Sequence, residues 1–115
     1  MKFAALVAIV PEEQEAKAID IAKQTGAGGV TILDARGIAA QEKRTFLGLT
    51  YEGSQSVLLF VLERKLSLQV MKALADELKL KEHAKGVVFT VPLEHLAGID
   101  TGQIERFEER IKDDL

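Results

Sequence analysis

The side chains that could carry out acid–base or metal chemistry are few in this sequence. Its two histidines are His83 and His95, and Glu94 beside His95 forms a pair of possible metal ligands. Protein metal sites usually need three or four ligands, and the spacing offers no third. The chain has no cysteine, which excludes disulfides, thiol catalysis and thiolate metal sites. No nucleophile–histidine or paired-carboxylate arrangement is recognisable, so we predict neither a catalytic nor a metal site.

The glycines at positions 26, 28 and 29 superficially resemble a dinucleotide-binding fingerprint. That motif follows a strand and opens a helix, whereas these glycines follow a helical pattern and precede an apolar, strand-like stretch. We interpret them as a helix stop and a tight turn. The alternative is that they form, with Thr31, the floor of a cleft between subunits.

Composition indicates one globular domain over residues 1–115. The chain has 47% hydrophobic and 29% charged residues and a formal charge of −3, so it lacks the positive charge of a nucleic-acid binder. The apolar start, residues 3–10, is shorter than the ~20 residues that span a bilayer. It runs into Pro-Glu-Glu and has no cleavage signal. We expect a cytoplasmic protein without membrane insertion.

Hydrophobic periodicity predicts the elements that must position any site. The predicted strands cover residues 2–10, 30–35, 57–62 and 86–91. The predicted helices are one over 11–25 that ends at Gly26, one that is capped by Ser67 and runs to 78, and a C-terminal helix over 101–112. The order predicts an α+β, ferredoxin-like βαββαβ sandwich with an extra C-terminal helix. Residues 38–55 are predicted to form a long, mostly polar loop, with strand-like arms as an alternative; a loop of this length is often functional.

The strands are apolar on both faces, although two helices can cover only one face of a sheet. Residues 3–10 and 57–62 show no alternation of apolar and polar side chains. The uncovered face would expose Val, Leu and Phe at a cost of ~1.5–3 kcal/mol of unused burial each. We therefore predict a homo-oligomer in which the sheets pack together.

The segment Gly26-Ala-Gly-Gly-Val-Thr-Ile-Leu-Asp-Ala-Arg-Gly37 resembles the second-strand region of the nitrogen-regulatory PII signalling proteins. The similarity continues through Gln41 to Thr45 without a gap. Residues 38–55 then lie where that family carries its partner-binding T-loop, here shorter. Lys85 falls at the end of the family's phosphate loop, and Thr101-Gly102 resemble the Thr-Gly after its last strand.

This resemblance implies a trimeric, non-enzymatic regulator. Members bind adenine nucleotides (ATP, ADP or AMP) in clefts between subunits, and the T-loop acts on a membrane transporter or a metabolic enzyme. The residues that it places in the nucleotide cleft are Thr31, Gly37, Gln41 and Lys85. Lys43, Arg44 and Tyr51, in the loop, are the predicted partner-binding residues.

The sequence departs from the family at the phosphate-binding positions. Glu82-His83-Ala84-Lys85 stands for Gly-Asp-Gly-Lys, and Gly98 and Asp100 replace two arginines. Two lost charged hydrogen bonds are worth ~3–6 kcal/mol, about 10²–10⁴ in affinity. We expect a weaker or different ligand unless Lys79, Lys81, Arg36 or Arg106 compensates. The alternatives are a small oligomeric ferredoxin-like enzyme and a metal-tolerance protein like the CutA family.

Overall fold

A computed structural model describes residues 2–39, 50–83 and 86–98. The elements are β1 (Phe3–Pro11), a 3-10 turn (Glu12–Gln14), α1 (Glu15–Thr25), β2 (Thr31–Ala39), β3 (Thr50–Glu63), α2 (Arg64–Glu77), α3 (Leu80–His83) and β4 (Val87–Pro92). This order confirms the predicted βαββαβ architecture. The helix predicted over 101–112 lies outside the described residues.

The four strands form one antiparallel sheet with the order β2-β3-β1-β4. Leu6 in the central strand β1 pairs with Phe60 in β3 on one side and with Thr90 in β4 on the other. Strands β2 and β4 are therefore the two edges of the sheet. The pairing of β2 with β3 shifts register between Gly37 and Ile38.

The core lies between the helices and one face of the sheet. Along β1 every second residue is buried, as expected for a strand with one face against helices. Burying a Val, Leu or Phe side chain contributes ~1.5–3 kcal/mol, so this layer holds both helices to one face of the sheet. The buried apolar residues of this cluster are Leu6, Ala8, Val10, Ala18, Ile21, Ala22, Ala27, Leu58, Phe60, Leu62, Leu66, Val70 and Leu74.

The first helix ends as predicted but begins later: Pro11 is the last residue of β1, and α1 starts only at Glu15. The 3-10 turn follows Pro11, and α1 ends at Thr25 before Gly26, which has φ 130°. The Gly26 N–H donates to the carbonyl oxygens of Ala22 and Lys23, both at 3.0 Å. A glycine accepts this conformation without the steric penalty that a side chain would incur.

The prediction that Ser67 caps the second helix is wrong. The helix begins at Arg64, and Glu63 caps it: Glu63 Oε2 accepts hydrogen bonds from the N–H groups of Lys65 (2.8 Å) and Leu66 (3.1 Å). Ser67 lies inside the first turn, fully buried, and its Oγ donates to the Arg64 carbonyl at 2.7 Å. The boundary was misplaced because the strand enters the helix directly, with no intervening turn residues.

The second and third strands are longer than their apolar segments. β2 continues to Ala39 where we predicted an end at Ala35, and β3 begins at Thr50 where we predicted Val57. Mutual backbone pairing carries both strands into the polar sequence. The predicted loop at 38–55 therefore has strand at both ends, and only residues 40–49, outside the described residues, lie between the two strands.

Candidate functional site

One face of the sheet carries apolar side chains that the helices do not cover. We call it the open face. Its residues follow from the strand register: Ala5, Val7, Ile9, Thr31, Leu33, Val57, Leu59, Val61, Val87, Phe89 and Val91. Leu33 is 51% exposed, Val87 48% and Phe89 40%. A contiguous apolar surface of this kind marks an interaction site.

Two of the predicted cleft residues lie on β2, at one edge of the sheet. Thr31 begins the strand, is exposed and pairs with Leu59, which places it on the open face. Gly37 lies six residues further along and pairs with Gly53. At ~3.3 Å per residue the two positions are about 20 Å apart, so they mark the two ends of a line along this edge.

The position next to Lys85 lies at the opposite edge. Lys85 is outside the described residues, but Gly86, directly before β4, packs against β1 and α3: a Cβ added to Gly86 would lie 2.9 Å from the Ile9 carbonyl oxygen and 3.2 Å from Leu80 Cδ2. Two strands separate β2 from β4, and strands are ~4.8 Å apart. The two edges are therefore about 14 Å apart in one chain. A single chain does not bring the β2 residues close to the position of Lys85.

The other predicted site residues are not brought together in the described part of the chain. Gln41, Lys43 and Arg44 lie outside it. Tyr51 belongs to β3, where its backbone pairs with Ile38.

The glycine pair before β2 is not required by the packing of a single chain. A Cβ added to Gly28 or Gly29 would meet no atom within 4 Å, and neither residue has a positive φ. Both are exposed, whereas the preceding Ala27 is buried. Bare backbone is thus presented to the surroundings directly before Thr31, where another molecule can approach closely.

A polar groove lies beside the β2–β3 ends that lead to residues 40–49. We call it the β2–β3 groove. It has a volume of about 440 Å³ and is lined by Glu12, Asp34, Ala35, Arg36, Ser54 and Gln55. Among these residues, a ligand role was predicted from the sequence only for Arg36, although Asp34 and Arg36, two positions apart, indicate a polar face at this end of β2.

A fully buried serine is hydrogen-bonded on the same side of the sheet. Ser56 pairs with Asp34 across the strands, and its Oγ donates to Glu15 Oε1 at 2.6 Å. This bond ties the first turn of α1 to β3. It satisfies a hydroxyl that would otherwise be buried without a partner.

Within residues 2–39, 50–83 and 86–98, no three His, Cys, Asp or Glu side chains are grouped so that they could hold a metal ion. His95 and Glu94, the pair singled out in the sequence, are both exposed.

In the described part of the chain, no helix is long and apolar enough to cross a membrane.

The family model for nitrogen regulatory protein P-II matches residues 3–103. The chain therefore belongs to the P-II family, a family of regulatory proteins, as the resemblance of residues 26–45 predicted. No curated protein matches the sequence.

Solved structures of PII-like proteins share the fold. A PII-like signalling protein of Thermus thermophilus has a TM-score of 0.62 and 19% identity, covering 81% of this chain and 88% of that one. The GlnK–ATP complex of B. subtilis has a TM-score of 0.61 and 16% identity, covering 81% of this chain and 85% of that one. CPII of Thiomonas intermedia K12, bound to ADP and bicarbonate, has a TM-score of 0.60 and 19% identity, covering 81% of this chain and 87% of that one.

Proposed function

We propose that this protein is a cytoplasmic, homotrimeric signalling protein that binds an adenine nucleotide between subunits. The nucleotide state is read by a membrane transporter or a metabolic enzyme that contacts residues 38–55. Thr31, Gly37, Gln41 and Lys85 hold the nucleotide, and Lys43, Arg44 and Tyr51 contact the partner. Membership of the P-II family supports the regulatory role, and the ATP and ADP complexes of GlnK and CPII support the ligand class.

The observation that carries the proposal is the separation of the cleft residues within one chain. Thr31 and Gly37 lie on the β2 edge, while Gly86, next to Lys85, lies by the β4 edge about 14 Å away. A nucleotide held by both sets of residues has to lie where the β2 edge of one copy faces the β4 edge of another. A ring of identical head-to-tail contacts forms such clefts at every junction.

The open face supports the assembly. In an isolated chain its apolar side chains stay in water, whereas in an assembly they pack against those of neighbouring copies. Each large side chain that becomes buried adds up to ~1.5–3 kcal/mol. The exposed glycine backbone at 28 and 29, beside Thr31, gives a partner or a flat ligand room to approach the β2 edge.

Mass and ligand measurements test the proposal directly. Light scattering on the purified chain is expected to give three times the 12.6 kDa chain mass. Titration calorimetry with ATP, ADP and AMP is expected to show saturable binding without turnover. A particle of one chain mass would refute the shared cleft, and lack of binding by all three nucleotides would refute the ligand class.

Subunit mixing tests the shared cleft more sharply. Thr31→Glu removes the β2 half of every cleft and Lys85→Ala the β4 half, so each variant alone is expected to lose nucleotide binding. In trimers re-formed at random from equal amounts of both, about one quarter of all clefts combine an intact β2 edge with an intact Lys85. Binding restored to about that fraction supports a site between subunits. Absence of restoration in demonstrably mixed trimers would place the site within one chain.

The partner-binding role of the loop has a separate test. Reversing the charge at Lys43 and Arg44 is expected to leave nucleotide binding unchanged and to abolish co-purification of the regulated transporter or enzyme. Equal recovery of the partner with the variant and the native chain would contradict the role of these two residues.

A further inference from the structure

We propose that the β2–β3 groove binds a small zwitterion of the α-amino-acid type. Its carboxylate would lie against the Arg36 guanidinium, and its ammonium group would lie between the carboxylates of Glu12 and Asp34. The charged residues of the groove are distinct from those of the nucleotide cleft proposed above, because Asp34 and Arg36 are on the opposite face of β2 from Thr31, whereas Ala35 and Gln55 of its lining pair with each other on the open face.

The strand register brings the polar groups of the groove together. Asp34 and Arg36 are two residues apart on one strand, so they share a face with Cα atoms about 7 Å apart. Ser54 pairs directly with Arg36 across the strands. Glu12, in the turn after β1, lines the same groove. Long side chains at this spacing can hold the two charged ends of one small molecule.

The charges that line the groove are not used by the fold. In the described part of the chain, Glu12, Asp34 and Arg36 make no ion pair or hydrogen bond through their side chains, and Asp34 and Arg36 are exposed. The neighbouring carboxylate of Glu15 is different, since it already accepts the hydrogen bond from Ser56. The groove therefore offers one cationic and two anionic groups to a ligand.

The mixture of charges selects the ligand class. A simple anion attracted by Arg36 would be repelled by the two carboxylates, and a simple cation would be repelled by the guanidinium. A molecule with both a carboxylate and an ammonium group can pair with the guanidinium and with the two carboxylates at once. Hydrogen bonds between charged groups are stronger than those between neutral groups. The volume of about 440 Å³ leaves room for the side chain of an amino acid.

The position of the groove gives binding a consequence for the loop. Arg36 precedes Gly37 at the register shift, and Ser54 follows Gly53 on the paired strand. A ligand held between them would stabilise the pairing of the two strand ends from which residues 40–49 depart. The amino acid would then act on the same loop as the nucleotide, from the other face of the sheet.

Calorimetry on the full chain tests the proposal with matched probes. L-Alanine, L-glutamine and L-glutamate are compared with propionate and ethylamine, which are alanine without its amino group and without its carboxylate. We expect at least one amino acid to bind, and propionate and ethylamine to bind at least 10-fold more weakly than alanine. Arg36→Gln and Asp34→Asn should each weaken amino-acid binding about 10- to 100-fold. Arg64→Gln, on an exposed arginine of α2, is the control and should change nothing.

The outcomes separate this proposal from the proposed function. Failure of every amino acid to bind at millimolar concentration would overturn it, as would native affinity in Arg36→Gln. Propionate or ethylamine binding as tightly as alanine would show a simple anion or cation site and overturn it too. ATP titrated into Asp34→Asn, which changes no residue assigned to nucleotide binding, reports on the nucleotide cleft independently, and thermal melting confirms that each variant is folded.

Discussion

Alanine at Gly28 and Gly29 should stabilise the folded chain and impair the nucleotide cleft at the same time. An added Cβ at either position meets no atom within 4 Å, and neither backbone is in the left-handed region. At such positions Gly→Ala stabilises by about 0.4–1 kcal/mol, because the unfolded chain loses freedom. The double variant is therefore expected to gain about 1–2 kcal/mol, or roughly 4–8 °C in Tm for a domain of this size.

Gly86→Ala is the matched comparison, and it is expected to lower the free energy of unfolding where the 28/29 variant raises it. Its added Cβ would lie 2.9 Å from the Ile9 carbonyl oxygen and 3.2 Å from Leu80 Cδ2. The first contact is with backbone of the central strand, which cannot move cheaply, so we expect a loss of about 1–3 kcal/mol.

Urea unfolding at one fixed chain concentration measures all three stabilities, since assembly makes stability depend on concentration. Calorimetry with ATP and ADP then measures the cleft. For the 28/29 double variant we expect higher stability together with nucleotide affinity reduced at least 10-fold. Destabilisation as large as that of Gly86→Ala would refute the reasoning that this segment is sterically free. A stabilised variant with native nucleotide affinity would show that the glycine pair has no role in the cleft.

Three further substitutions test the interface, the helix cap and the buried hydroxyl. Phe89→Lys, on the open face and 40% exposed, should leave a folded chain whose light-scattering mass falls to that of one subunit. The control Leu68→Lys, on α2 and 43% exposed, should keep the mass of the native assembly. If the two variants have the same mass, the open face is not the interface. Glu63→Ala removes the acceptor of two backbone N–H groups and should lower unfolding free energy by about 1–2 kcal/mol, more than Ser67→Ala; the reverse ranking would restore Ser67 as the cap. Ser56→Ala breaks a 2.6 Å bond to a carboxylate and should cost about 1–2 kcal/mol in urea unfolding, whereas a neutral effect would mean that this bond is not formed in solution.

The fold was predictable because its signals are local and strong. The apolar runs of β1 and β3 and the Pro11 and Gly26 boundaries of the first helical segment determine elements through burial and backbone geometry. The predicted element boundaries were wrong where backbone pairing or a capping side chain, and not hydrophobic periodicity, determines the boundary. Pairing between β2 and β3 extends both strands through polar sequence, and a glutamate at the end of a strand serves as a helix cap.

The candidate site was less predictable because it depends on which strands become neighbours. Thr31 and Gly37 were found through resemblance, but only the strand order shows that they lie about 14 Å from the edge next to Lys85. The β2–β3 groove was missed for the same reason. Asp34 and Ser54 are 20 positions apart in sequence, and no local pattern predicts that both line the groove.

The strand order also has a consequence for how the chain folds. β1 and β2 are the first two strands to be synthesised, yet they are not neighbours, because β3 lies between them. A nascent chain that ends after β2 therefore cannot form a hairpin from its two strands. Sheet formation has to wait for a strand that arrives later, and such non-local pairing slows folding. Until β3 has been made and inserted between them, the apolar β1 is left without a strand partner.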